Sequence, residues 1–149
     1  MSEDKEIVGL VAGNFDIIHP GYIKMLKESK TVCTKLVVAL HHDPSLERSY
    51  KLKPILSVYE RSEIMRAIRY VDEVFTYKTE EDLLSLIVKV SPDVRLLGDD
   101  YKVRFDYTGC GLCPKVYYFD RSHGWSSTRF KNLIYKQMKE REERLIKFL

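Results

Sequence analysis

One stretch concentrates the residues that could do chemistry: Gly13-Asn14-Phe15-Asp16-Ile17-Ile18-His19-Pro20-Gly21-Tyr22. Ahead of it lies Ile7-Val8-Gly9-Leu10-Val11-Ala12, a short apolar run without helical spacing. Such a run reads as a strand buried on both faces. Behind it, Ile23, Met25 and Leu26 begin a helical pattern, with Pro20 where a first-turn proline sits. The stretch is therefore a strand-to-helix turn. The first N–H groups of a helix have no partners within it and its dipole end is positive, so an anion fits there. Gly21 lets a ligand approach the backbone closely, and His19 adds a side-chain donor at the mouth.

A second turn of this kind is Arg121-Ser122-His123-Gly124-Trp125-Ser126-Ser127-Thr128, whose hydroxyl residues cap the helix that follows. Lys51, Lys53, Arg61, Arg69 and Arg121 add positive charge. Arg61 and Arg69 are eight apart, about two helical turns, and are expected on roughly one face. No serine–histidine–acid set is evident. The pattern suits a triphosphate and a second anion rather than acyl chemistry. Phosphoryl and nucleotidyl transfer need alignment and stabilisation of developing charge more than covalent help. His41-His42-Asp43 ends an apolar run; adjacent side chains on a strand point to opposite faces, so one histidine is expected at a ligand crevice and the other in a structural place. Cys110-Gly-Leu-Cys113 has the spacing of half a zinc site without a second pair, and a pair of reduced thiols is the plainer reading. Cys33 reads as a small buried apolar residue.

Strands and helices alternate along the chain. Further strands are expected at Lys35–His42, Asp72–Tyr77, Val94–Leu97 and Lys115–Phe119. Helices are expected after Ser57, whose capping box is completed by Glu60, after Thr79, and over 126–149. Residues 44–57 and 102–114 lack periodicity and read as loops. This alternation predicts an α/β domain over 1–149: a Rossmann-like, doubly wound parallel sheet of about five strands. Ligands bind such sheets beyond the carboxyl ends of the strands, where Gly13 to Tyr22, His41 to Lys53, Gly98 to Tyr101 and Arg121 to Thr128 converge. The 149 residues, 44% hydrophobic, suffice for one core. A net charge of +3 is too small to argue for nucleic acid. No apolar run is long enough to span a membrane, and the polar, acidic start does not read as a signal peptide.

The segments Gly13-Asn-Phe-Asp and His19-Pro-Gly-Tyr22 resemble the GTFD…HxGH signature of the nucleotidyltransferase superfamily that includes the cytidylyltransferases. Asn14 stands in place of Thr and Tyr22 in place of the second His. Ile68 to Val74 and Gly98-Asp99-Asp100-Tyr101 through Asp106 look like the glycerol-3-phosphate cytidylyltransferases, and Arg121 to Thr128 is similar to their RTxGISTT signature, differing at Ser122, Trp125 and Ser127. The resemblance runs from about Ile7 to Ile134. It implies transfer of CMP from CTP to a small phosphorylated alcohol, glycerol 3-phosphate above all, with release of pyrophosphate and with Mg²⁺ carried on the triphosphate. It implies catalytic roles for His19, Tyr22, Lys51 or Lys53, and Arg121. Gly13, Asn14, Phe15, Gly21, Asp100, Gly124, Trp125, Ser126, Ser127 and Thr128 would surround the nucleotide together with Arg121. Arg61, Arg69 and Asp16 would meet the acceptor. No residue of the chain is assigned to a metal. A cytoplasmic homodimer is implied, with neither nucleic acid nor membrane as partner. Adenylyl transfer, a phosphocholine or phosphoethanolamine acceptor, and nucleotide binding without catalysis (because of Tyr22) stand as alternatives.

Overall fold

The computed structural model describes residues 3–149; Met1 and Ser2, the first residues of the expected domain and of the polar N-terminal stretch, lie outside them. Five parallel strands, β1 (Val8–Gly13), β2 (Lys35–His41), β3 (Glu73–Tyr77), β4 (Val94–Gly98) and β5 (Lys115–Phe119), form one sheet. Their order is β3-β2-β1-β4-β5. The expected strands are all present to within a residue at each end. β1 is central because it is apolar on both faces. It pairs β2 from Val8↔Lys35 to Gly13↔Leu40 and β4 at Gly9↔Val94 and Leu10↔Arg95. Strand order reverses between β1 and β4, and a crevice opens beyond the carboxyl ends there.

The helices are α1 (Pro20–Ser29), α2 (Val58–Ala67), α3 (Glu80–Val90) and α4 (Ser127–Ile146). Each start is capped: α1 by His19, α2 by the Ser57/Glu60 box, α3 by a Thr79/Asp82 box and α4 by Ser126. α3 ends at Ser91 in a left-handed conformation, ahead of Pro92. One face of the sheet packs Val11, Leu36, Val38 and Leu96 against Leu26 of α1 and Met65 of α2. The other packs Leu10, Val37 and Ala39 against Leu83 and Ile87 of α3.

The sequence expectation fails in the run after Ser57. α2 stops at Ala67, and Ile68 is extended with ψ 121. The chain turns out there because Asp72 must reach β2, where its carboxylate accepts from Leu36 N at 2.7 Å. Arg61 and Arg69 therefore share no helix face.

Asp16 also takes a place the sequence did not indicate. It is 0% exposed. Its carboxylate accepts from Ile55 N at 2.8 Å, Leu56 N at 2.9 Å and Lys131 Nζ at 2.7 Å. It ties the β1–α1 turn to the loop before α2 and to α4, leaving no free oxygen face for an acceptor. Burial pushes its pKa up, but the hydrogen bonds from Leu56, Lys131 and Ile55 outweigh burial and the net shift is downward. A carboxylate depressed on folding stabilises the protein above its unfolded pKa of about 3.9, and that stability is lost as pH falls through the lower folded value. Asp16→Asn is expected to destabilise the protein by about 3 kcal/mol at neutral pH. In urea unfolding, the gap to wild type should narrow below about pH 4; a gap independent of pH would contradict the role given to the charge.

Candidate active site

A cleft of about 680 Å³ lies over the carboxyl ends of the strands. That is within the roughly 300–1,000 Å³ of small-molecule sites. Into it project the β1–α1 turn, the 44–57 loop, the end of β4 and the β5–α4 loop.

His19 stands at the centre. It is 5% exposed and lines the cleft. Its Nδ1 accepts from Gly21 N at 3.1 Å, which caps α1. The neutral ring then carries its proton on Nε2. That Nε2 has no hydrogen-bond partner among the described residues. Burial lowers the His19 pKa, and the charges of His123 and Arg121 push the same way. The ring lies between aromatic neighbours: Tyr22 stacks at 4.0 Å and Trp125 lies nearly parallel at 6.0 Å. A neutral, directional N–H donor is thus held at the start of α1, ready for an oxyanion.

Tyr22 lines the cleft, but its hydroxyl is bonded to Ser127 Oγ at 2.6 Å. It joins the first turns of α1 and α4 rather than standing free toward a phosphate. Burial pushes its pKa up, so it stays neutral. Ser126 caps α4 by accepting from Arg129 N at 3.1 Å. The N-termini of α1 and α4 thus face one cleft, lined by Ser126, Ser127 and Trp125.

The remaining sequence candidates separate. Gly13, Asn14, Phe15, Gly21, Asp100 and Arg121 line the cleft. Arg121 Nη1 pairs with Asp100 Oδ1 at 3.3 Å across its rim. Lys51 lines the cleft and Lys53 does not, which separates the two loop lysines. Gly124 and Thr128 lie outside the lining: Gly124, at φ +73, forms the turn before α4 and its carbonyl accepts from Arg129 Nη1 at 2.9 Å.

Arg61 is corrected outright as an acceptor residue. It is 1% exposed. Its guanidinium donates to the carbonyls of Leu56 at 3.0 Å and Asn14 at 2.9 Å, and to those of His41 and His42. Four of its five N–H donors are committed to backbone carbonyls, and it does not line the cleft. Arg69 is exposed, packs over the Tyr70 ring and lies outside the cleft.

Two residues passed over in the sequence line the cleft. Arg95, the second residue of β4, is 4% exposed; Nη1 donates to Thr108 O at 2.9 Å and Nε has no partner among the described residues. A charge inside the apolar run Val94–Leu97 was the signal. His123 is the other. His41 does reach the crevice, stacked on Tyr77 at 4.6 Å. With Glu47 and Glu80 it forms a grouping of possible metal ligands, all within 4.8 Å. These groups are already engaged: Glu80 by Arg48 and Thr108, and His41 Nε2 by Lys78 O.

Two helix N-termini and an imidazole N–H without a partner among the described residues converge on the switch point of a parallel sheet, an arrangement compatible with a nucleotidyltransferase. The chain belongs to the Cytidylyltransferase-like family, whose profile matches residues 10–134. It is similar to the FAD synthase of Pyrococcus horikoshii, 40% identical over 100 residues, covering 67% of this chain and 68% of that protein. The FAD synthase of Thermococcus onnurineus is 29% identical over 145 residues, 97% of this chain and 91% of that one. Among solved structures, the lipopolysaccharide core biosynthesis protein from Thermoplasma volcanium aligns with a TM-score of 0.62 and 27% identity, over 78% of this chain and all of the other. These relatives support the superfamily reached from the sequence; none bears the name glycerol-3-phosphate cytidylyltransferase.

His19→Asn keeps a capping oxygen for α1 and withdraws Nε2–H. Turnover is expected to fall by about 10²–10³ with the melting temperature little changed. Unchanged nucleotidyl transfer by this variant would reduce His19 to a helix cap.

Proposed function

We propose that this protein is a cytoplasmic adenylyltransferase that joins AMP from ATP to the phosphate of FMN, releasing pyrophosphate and forming FAD. The observation that carries nucleotidyl transfer is the unpartnered His19 Nε2 between two helix N-termini. The choice of ATP and FMN is supported by the FAD synthases to which the chain is similar, one of them over nearly its whole length. It is also supported by Tyr77, Tyr107 and Arg95 in the cleft lining, Arg95 being a buried cation suited to an acceptor's anion.

In this reading an oxygen of the acceptor phosphate attacks the α-phosphorus. The bond from that phosphorus to the β-bridging oxygen breaks in line, and pyrophosphate leaves with the electron pair. The acceptor is already ionised, so no general base is required. A Mg²⁺ ion carried on the triphosphate would neutralise part of its charge, and no residue of the chain is assigned to hold it. His19 Nε2–H and the N-termini of α1 and α4 hold the phosphates. Lys51 and Arg121 add charge at the rim, Gly13, Asn14 and Phe15 line the nucleotide by their backbone, and Asp100 meets the base. The chain acts as one nucleotidyltransferase domain.

A second reading, CTP with glycerol 3-phosphate, is favoured by the resemblance of Arg121 to Thr128 to the RTxGISTT segment. Titration calorimetry with ATP and CTP, then pyrophosphate release with FMN, glycerol 3-phosphate and a sugar phosphate, separates the two. ATP with FMN is expected to be the fastest pair, with FAD as product by chromatography. Faster turnover of CTP with glycerol 3-phosphate would establish the second reading. The homodimer implied by the resemblance belongs to both readings. Light scattering at micromolar concentration is expected to give twice the chain mass, and a monomer would refute it.

A further inference from the structure

A second imidazole reaches the cleft from the β5–α4 loop. His123 Nδ1 accepts from Trp125 N at 2.9 Å. This repeats the arrangement at His19, whose Nδ1 accepts from the backbone N two residues on, at 3.1 Å. An imidazole whose Nδ1 accepts a backbone N–H carries its proton on Nε2 when neutral. Both rings are therefore set with Nε2–H as the free donor, one just before α1 and the other just before α4. They are also neighbours. A methyl group at Gly21 would lie 3.0 Å from His19 Cε1 and 2.9 Å from His123 Cε1. Only a bare Cα at position 21 lets the two rings approach so closely.

The HxGH signature places its second histidine at position 22, where this chain has tyrosine. The Tyr22 hydroxyl is already bonded to Ser127, and the ring is packed against His19. Lys24 and Lys51 also line the cleft, but both are exposed, on flexible stems. His123 is the neighbouring group whose orientation is set by its own hydrogen bond.

We propose that His123 is the second catalytic imidazole of this site: its Nε2–H donates, beside that of His19, to the triphosphate and to the departing pyrophosphate. The proposal rests on the nucleotidyl-transfer reading. No proton is transferred in this role. As the bond from the α-phosphorus to the bridging oxygen breaks, negative charge grows on the pyrophosphate, and a fixed donor there stabilises the transition state. The donor that the signature supplies from α1 is supplied here from the loop before α4.

The test uses the full chain with His123→Ala, His123→Asn and His123→Gln. Asparagine retains an oxygen able to accept from the N–H two residues on and loses the distal donor. Glutamine carries an amide nitrogen toward the place of Nε2. Calorimetric titration with magnesium pyrophosphate is expected to show affinity about tenfold lower for the Ala and Asn variants, the loss of one charge-assisted hydrogen bond. Turnover should fall by about 10²-fold in both. The Gln variant is expected to recover part of each loss, as is Tyr22→His placed in the His123→Ala background. Wild-type pyrophosphate affinity in His123→Asn, whatever the Ala variant does, would overturn the proposal and leave His123 as a brace for the loop. If wild type transfers no nucleotide from ATP or CTP, the function reading fails alone. The pyrophosphate titration still decides whether His123 is a phosphate donor.

Discussion

The site depends on two buried charges bonded to the backbone of the loops that form it. Asp16 and Arg61 lie beneath the loops at the carboxyl ends of β1 and β2, where the backbone leaves the sheet and its polar groups lose their ladder partners. Buried N–H and C=O groups left unpaired are costly, so such loops need an internal frame. Leu56 shows how the frame works: its N–H donates to Asp16 and its carbonyl accepts from Arg61. Arg61 reaches on to the carbonyls of Asn14, His41 and His42, and Asp16 to Lys131 of α4. One carboxylate and one guanidinium thus hold the β1–α1 turn, the end of β2, the approach to α2 and the start of α4 in fixed relation. The planar fork of arginine suits several carbonyls at once in a way an ammonium does not.

This frame makes a strained turn tolerable. Phe15 has φ 46, an outlier for a bulky residue. Such a conformation costs on the order of 1–3 kcal/mol and persists only where its surroundings over-determine it. They do so here. The Asn14 carbonyl is held by Arg61, and the Phe15 ring is buried against Tyr22 with centroids 4.9 Å apart. The gain is a chain reversal tight enough to deliver His19 to the N-cap of α1 beside the crevice.

Much of the fold was legible in the sequence because its signals are local. Apolar runs without helical spacing marked the strands, and Ser57/Glu60 and Ser126 marked helix starts, since caps act over three or four residues. The approximate position of the site followed, because a doubly wound sheet leaves one edge of strand ends for ligands. What failed was the role of charges. An arginine on a short amphipathic helix reads as a solvated stripe or a ligand contact. That Arg61 is neither depends on carbonyls from the approach to its own helix and from two distant places, the β1–α1 turn and the end of β2. Asp16 sits inside a signature and was read with it, although its partners lie in the loop before α2 and in α4. Arg69 was misplaced because the helix was continued through Ile68, which tertiary pairing of Asp72 with β2 pulls into extended form.

The tyrosine at position 22 puts a neutral hydroxyl and an aromatic ring where the signature has a histidine. A histidine at position 22 would be a second imidazole on α1 beside His19. Tyrosine instead stacks on His19, and burial lowers the His19 pKa toward the neutral ring. Its hydroxyl meanwhile couples α1 to α4, so that the two helix N-termini cannot drift apart. The positive potential then comes from the helix ends, Arg121 and Lys51. Directionality comes from a neutral imidazole whose tautomer is set by the Gly21 N–H. Because alignment and preorganised dipoles carry most of the stabilisation in nucleotidyl transfer, the exchange of one charged donor for a rigid aromatic linker is compatible with a working site.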